Sequence, residues 1–255
     1  SDDYKFIVRE GRGGRIWDHS GNEYVDYILG SGPMVVGHAH PNVIAAAEEA
    51  MRKGTTFFAE NAYAVELAER IVDAVPCAEQ VRYTSSGTEA TYYALRVARA
   101  YRRRDKILKF EGGFHGMHDY SLMSLTPNGM VPFPAPDPSS AGIPRVIHET
   151  VLVAPFNDIA TTAEIIERHH DDLAAVIVEP VQRVLAPVPG FLEGLREITA
   201  RYDIPLIFDE VVTGFRMANG GAQAYYGITP DLAAIGKIVG GGFPLAAVTG
   251  RKELM

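Results

Sequence analysis

A chain of 255 residues that is 47% hydrophobic and 22% charged has the composition of a soluble globular protein and enough apolar material for a sizeable core. Its formal net charge of -8 is spread without long single-sign blocks, which argues against a nucleic-acid partner; its one cysteine, Cys77, excludes an internal disulfide and reads as a buried, inert thiol. No run of about 18 apolar residues is present to span a membrane, and the opening SDDYKFIVREGRGGR lacks the apolar stretch of a signal peptide, so a reducing cytoplasmic compartment is expected.

In chain order, GRIWDHSGNEYVDY predicts a hairpin turning at Ser20-Gly21-Asn22. A helix near 41–53 follows the loop GHAHPN, and these first 60 residues read as a small lobe or arm. From about residue 78 short apolar runs alternate with helix-period segments. The runs are VRYTS (81–85), KILKF (106–110), VLVAPF (151–156), AAVIVEP (174–180), PLIFDE (205–210) and LAAIGK (232–237). In TEATYYALRVARAYRRR the positions Ala90, Tyr93, Ala94, Val97, Ala98 and Tyr101 share one helical face, and Phe191, Leu195, Ile198 and Tyr202 do so in GFLEGLREITARYD. Arg102, Arg103, Arg104 and Lys106 then read as a solvated last turn facing the helix dipole. The stretch 126–144, rich in Pro, Gly and Ser, reads as a long surface loop. Continuous apolar strands separated by helices predict an α/β fold with a mostly parallel sheet covered on both faces.

Three features carry chemistry. Ser86-x-x-Glu89 is a capping-box pattern opening a helix directly after a strand. A helix start of this kind can hold a phosphate through unpaired backbone N–H groups, with Ser86, Gly87 and Thr88 at hand, although the motif alone reads first as a plain helix cap. Asp209-Glu210 closes the run PLIF at the end where open α/β sheets bind ligands. Its partner is either Arg216, which makes the pair structural, or a cationic ligand atom. Lys237, between an apolar strand and Gly240-Gly241-Gly242, sits where a lysine serves as an imine-forming amine rather than for solubility. The P-loop pattern fails there, since Ile238 stands in place of Ser/Thr and Asp231 in place of the first glycine. Gly11-Arg12-Gly13-Gly14 is a poor dinucleotide fingerprint, and His38-x-His40 and His169-His170 lack further ligands at metal spacing, so no metal is expected. A phosphate cup, a carboxylate and a reactive amine at strand-to-loop junctions together describe pyridoxal 5′-phosphate (PLP).

With GHAHPNV, VRYTSSGTEA, KILKFEGGFHGMHD, VEPV, PGFLEGLREIT, LIFDEVVTGFR and GITPDLAAIGKIVGGGFPLAAVTGR in this order, the chain resembles the class III aminotransferases of PLP fold type I, within them the glutamate-1-semialdehyde aminomutase branch. The resemblance implies that Lys237 is the Schiff-base lysine and proton shuttle and that Asp209 pairs with the pyridinium nitrogen. It implies that Val211 and Phe114 pack on opposite ring faces with His115 beside Phe114, that Ser86, Gly87 and Thr88 contact the phosphate, and that Glu179 belongs to the inner wall. Gln182 is a candidate partner for the ring hydroxyl. The resemblance also implies a homodimer with the site at the subunit interface, small-molecule amino donors and carbonyl acceptors, and no nucleic-acid or membrane partner.

This chain departs from the pattern in three places. Phe114 stands where the family often has tyrosine, Ser31 where the branch has tryptophan, and residues 125–144 where the branch has a shorter gating loop. Both latter differences suggest an open pocket, so intermolecular amino transfer is the expectation, with the aminomutase reaction and a non-catalytic PLP-fold fragment as alternatives. The expected organisation is an N-terminal lobe over 1–60 and a PLP-binding large domain over 61–255. The latter is expected to be incomplete, because family members continue into a small C-terminal domain.

Overall fold

The computed structural model describes residues 6–126 and 131–255. Near the N-terminus, strands β1 (Val8–Arg12), β2 (Arg15–Asp18) and β3 (Glu23–Val25) form an antiparallel three-stranded sheet. The predicted turn lies between β2 and β3. Asp18 closes it by accepting from Asn22 N at 2.9 Å and from Tyr24 Oη at 2.9 Å. Helix α1 (Pro41–Arg52) starts on a proline, whose missing N–H costs nothing in a first turn.

The main sheet has seven strands among the described residues: β4 (Gln80–Thr84), β5 (Lys106–Phe110), β6 (Val151–Ala154), β7 (Leu173–Val178), β8 (Leu206–Glu210), β9 (Leu232–Ile235) and β10 (Ala246–Gly250). Their spatial order is β4-β10-β9-β8-β7-β5-β6. Strand β10 pairs antiparallel with both β4 and β9, while the pairs from β9 through to β6 are parallel. The predicted α/β fold is therefore present, with one antiparallel strand that the sequence reading did not contain.

Helices α2 (Ala62–Ala74), α3 (Gly87–Arg102), α4 (Arg145–His148), α5 (Ile159–His169), α6 (Phe191–Arg201) and α7 (Gly221–Tyr226) complete the chain. Because side chains alternate along a strand, the sheet feeds two cores. Leu108, Phe110, Val176, Val178, Leu206 and Phe208 pack with Ile165 and Ile166 of α5 and with Phe191 and Leu195 of α6. Ile107, Ala175, Ile177, Ile207 and Val248 pack with Ala94, Leu95 and Ala98 of α3 on the other face. All of these side chains are buried, which is why the strands read as unbroken apolar runs.

Arg102 differs from the expectation of a solvated turn. Its guanidinium donates to the carbonyls of His170, Tyr202 and Asp203 at 2.9, 2.9 and 3.0 Å and so fastens α3 to the loops beneath β7 and β8. A fork of five N–H donors suits such a cluster of carbonyls better than it suits bulk solvent. The described part of 126–144 carries no helix or strand, as predicted, and its residues 127–130 lie outside the described residues. Cys77 is buried, and burial pushes its thiol up to about 12, which keeps it unreactive. Among the described residues no helix is long and apolar enough to cross a membrane.

Candidate active site

The parallel strands β4, β5, β7, β8 and β9 all end at the same edge of the sheet, and the predicted site residues follow those ends. Ser86 comes after β4, Phe114 and His115 after β5, Glu179 after β7, Val211 after β8 and Lys237 after β9. A cavity of about 280 Å³ opens there. Ser86, Gly87, Thr88, Phe114, His115, Glu179, Asp209, Val211 and Lys237 all line it, together with Pro33 and the loop Gly242-Phe243-Pro244-Leu245. Of the residues that the resemblance assigns to the cofactor, the structure brings all together except Gln182, which is absent from the cavity wall. Its amide donates to Glu111 O at 2.7 Å, and its Oε1 is buried without a partner.

The start of α3 is the predicted capping box. Ser86 Oγ accepts from Glu89 N at 3.3 Å, and the Glu89 carboxylate reaches back to Ser85 N at 2.8 Å. These bonds occupy the N–H groups of residues 85 and 89. Those of Gly87 and Thr88 have no acceptor within the helix, since the first turn leaves its donors unpaired, and both residues border the cavity. Gly87 is required by close approach: a Cβ there would lie 2.9 Å from both γ-carbons of Val211. Gly116, at φ 97°, is required in the same way, because a Cβ would meet Thr88 at 2.6 Å. The start of α3 and the loop after β5 therefore approach each other closely at Gly116 and Thr88. Thr88 Oγ1 accepts from Met117 N at 3.2 Å, and Thr91 Oγ1 donates to His115 O at 2.6 Å.

Asp209 and Glu210 are neighbours on β8 and so point to opposite faces of the sheet. Glu210 faces away from the cavity. It accepts from Ala222 N at 2.6 Å, Gln223 N at 3.1 Å, Gln223 Nε2 at 3.0 Å and Thr213 Oγ1 at 2.8 Å, an arrangement that locks α7 onto β8. Asp209 faces the cavity. Its Oδ1 accepts from Val211 N at 3.1 Å and its Oδ2 lies 2.8 Å from His115 Nδ1. Arg216, the structural partner considered for this pair, donates instead to Val212 O at 2.7 Å and to Gly32 O. Burial pushes the Asp209 carboxyl up to about 7, opposed by the Val211 N–H and by the charge of Lys237. Burial pulls the His115 ring down to about 3, so it is neutral and donates from Nδ1 to the carboxylate. Glu179 is raised by burial as well, and it accepts from Phe114 N at 2.8 Å.

Lys237 opens a single 3₁₀ turn, Lys237–Gly240, with φ 47°. That left-handed backbone conformation is uncommon for a residue with a Cβ. The segment before α1 comes up against it, since a Cβ on Gly32 would lie 3.8 Å from Lys237 Cδ. Residues the sequence reading passed over include Pro33, the Gly242–Leu245 loop, and Lys109, a charge within the apolar run KILKF that is fully buried. A lysine inside an otherwise continuous apolar strand was the signal available for it. Among the described residues no cluster of three or more His, Cys, Asp or Glu side chains is arranged to hold a metal ion.

Comparison with known proteins places this geometry. Across residues 1–255 the chain matches the family model described as aminotransferase class-III. It is 48% identical over 257 residues to a glutamate-1-semialdehyde 2,1-aminomutase of Methanothermobacter thermautotrophicus, covering 100% of this chain and 60% of that protein. It is 50% identical over 253 residues to the enzyme of the same name from Pelotomaculum thermopropionicum, covering 98% of this chain and 58% of that one. Among solved structures it matches an omega-transaminase from Sphaerobacter thermophilus with TM-score 0.96 and 42% identity, covering 100% of this chain and 59% of that chain. A glutamate-1-semialdehyde-aminomutase from Pseudomonas aeruginosa matches with TM-score 0.86 and 30% identity, over 98% of this chain and 54% of that one. The chain spans about three fifths of the length of the curated relatives it matches. With its full length covered by the family model, this chain belongs to the class-III aminotransferases.

Proposed function

We propose that this chain binds PLP and forms the cofactor-binding part of a homodimeric enzyme that transfers an amino group between an amino acid or amine and a keto acid or aldehyde. One observation carries the reading: a single cavity is walled by the Lys237 amine, the buried Asp209 carboxylate and the open first turn of α3. The residues fit the cofactor. Asp209 is 5% exposed, and its one neighbour within ion-pair distance, His115, is held neutral by burial, so the cavity contains a carboxylate with no cation in direct contact that can receive a pyridinium nitrogen. The free N–H groups of Gly87 and Thr88 suit a phosphate. Phe114 and Val211 supply apolar faces for a flat ring. A solved transaminase with PLP bound matches this chain with TM-score 0.93 and 36% identity.

When bound, PLP supplies a protonated ring that takes up the electron pair left as the amine-bearing carbon loses its proton. The chain's own groups do the rest. Lys237 holds the cofactor through its amine and, once displaced, takes the proton from that carbon at Nζ and returns it. Asp209 keeps the ring nitrogen protonated, and His115, donating from Nδ1, fixes the carboxylate's direction. Gly87→Ala should push Val211 into the ring's place, raising the Kd for PLP on the order of tenfold and costing roughly 1–3 kcal/mol of stability. Fluorescence titration with PLP and chemical denaturation read both effects; unchanged values would remove Gly87 from the site.

Residues 1–60 form the N-terminal lobe and 61–255 the PLP-binding domain on this reading. The separate three-stranded sheet and the packing of α2 on β4 support that division. Exposed Tyr27, Ile28 and Phe58 support a subunit partner. The lone buried thiol is in keeping with the cytoplasm. Intermolecular transfer is favoured by residues 125–144. No described residue of that loop lines the cavity, and Ser139 Oγ, accepting from Leu125 N at 2.9 Å, ties the later part of the loop back to its start. An aminomutase must retain its intermediate until the amine returns, which calls for a gate. The names of the curated relatives favour this second reading. Incubating the PLP-loaded protein with amines and amino acids, then with keto acids or aldehydes, decides between them. A spectral cycle through the amino form and back supports transamination. Isomerisation of glutamate 1-semialdehyde with no two-substrate cycle overturns it.

A further inference from the structure

Lys109 is the one fully buried charge on β5, and none of the proposed chemistry uses it. It is 0% exposed, and its side chain lies on the α3 face of the sheet, the face toward which Asp209 also points. Its ammonium donates to Gly113 O at 3.0 Å, to Ser121 O at 2.8 Å and to Met123 O. No carboxylate among the described residues lies within ion-pair distance of it. A primary ammonium has three N–H donors, and all three are used. The neutral amine would have two, leaving its lone pair facing a third carbonyl, so the geometry selects the charged form. Burial acts against that form, lowering the group to about 7, with Glu179 opposing and Arg183 reinforcing the fall.

The three carbonyls belong to one loop, and that loop carries the site. Gly113 immediately precedes Phe114, and Ser121 and Met123 close the far end. Between them His115 N donates to Ser121 Oγ at 2.9 Å, and His115 Nδ1 contacts Asp209 at 2.8 Å. A hydrogen-bonded path therefore runs from Lys109 through the backbone and hydroxyl of Ser121 to His115 and on to Asp209. A second, shorter path runs through Gly113 to Phe114, whose N–H is bound to Glu179.

We propose that Lys109 is a positioning residue of the PLP site, its ammonium fixing the loop 113–123 so that His115 aims the Asp209 carboxylate and Phe114 lies flat on the ring. The proposal rests on the PLP reading above. It requires that removing the ammonium disturb Asp209 without any contact between residue 109 and the cofactor, and that breaking the path elsewhere do the same.

The test compares Lys109→Met, which keeps the stem and removes the donors, with Ser121→Ala, which breaks the hydroxyl link to His115 and leaves the charge in place. In the PLP-loaded protein the readouts are the pH midpoint of the cofactor's visible absorption band and the single-turnover rate with an amine. Both variants should raise the midpoint, because a less firmly aimed Asp209 would leave the ring nitrogen less fully protonated, and a less positive ring would draw less charge from the Lys237 nitrogen. Lys109→Met should also slow the single turnover on the order of 10²-fold, as displacements of about 1 Å do. In the double variant the midpoint shift should fall short of the sum of the two single shifts. A wild-type midpoint and rate in both variants would overturn the proposal. A shift in Lys109→Met alone would overturn it too, showing a charge acting at a distance. If Lys109→Met is recovered only as aggregate, Ser121→Ala decides by the same midpoint. If the wild-type protein develops no visible band with PLP, the functional reading fails instead. The proposal is then read from the ¹⁵N ring shifts of His115 in the cofactor-free protein, and shifts in Ser121→Ala that match the wild type would end it.

Discussion

Lys237→Ala should abolish covalent retention of PLP and lower the rate of amino transfer by 10²–10⁴-fold, the range a positioned acid–base group supplies. Borohydride reduction of the wild-type holoprotein should place a pyridoxyl group on the peptide carrying Lys237, and the same treatment of Lys237→Ala should label nothing in the site. The chain offers few rivals. Lys109 is sealed by three carbonyls and absent from the cavity wall. Lys106 is engaged with Asp172 at 2.9 Å. A label recovered on either of these, or a Lys237→Ala variant that turns over at the wild-type rate, would refute the assignment. Added small amines offer a further check, since they can restore a proton acceptor to the emptied position and should recover part of the lost rate.

Asp209→Asn should bind PLP, fold as the wild type and turn over on the order of 10²–10³-fold more slowly, the scale seen when one group aimed at developing charge is lost. The substitution is nearly isosteric. The amide oxygen can still accept from Val211 N, and the amide NH2 that replaces the second oxygen can donate to His115 Nδ1 once the neutral ring takes its other tautomer, so the side chain keeps two tethers. What disappears is the negative charge that keeps a proton on the ring nitrogen. Stopped-flow measurement of a single turnover isolates that step. A rate within a few-fold of wild type, with the cofactor fully bound, would make Asp209 a structural residue and leave the cavity without its electrostatic rationale.

The parts of this molecule legible in the sequence are those with a residue-type signature. Runs such as LAAVIV at β7 announce themselves because both faces of the strand are covered, and Ser86-x-x-Glu89 does so because capping needs a hydroxyl and a carboxylate at that spacing. Strand β10 escaped because Ala246-Ala247-Val248-Thr249-Gly250 follows a glycine-rich run and offers only one β-branched apolar side chain. Its reversed direction follows from the short path of residues 236–245, too short for a crossover. The division of labour between Asp209 and Glu210 was half visible. Alternation along a strand separates them, but the groups that saturate Glu210 come from residues 213, 222 and 223 and include two backbone N–H groups. Lys109 shows the same blindness. Its partners are carbonyl oxygens, which every residue possesses, so no spacing in the sequence points to them.

The backbone at Lys237 has a further consequence. An L-residue in the left-handed region is disfavoured by roughly 1–2 kcal/mol relative to its right-handed form, and only glycine adopts it freely. Position 237 is therefore one where folding and reactivity want different occupants. The conformation of a residue whose amine lines the cavity at the end of β9 has the Gly32-Pro33 segment packed beside it. The residue that would sit there most comfortably is the one with no amine to offer.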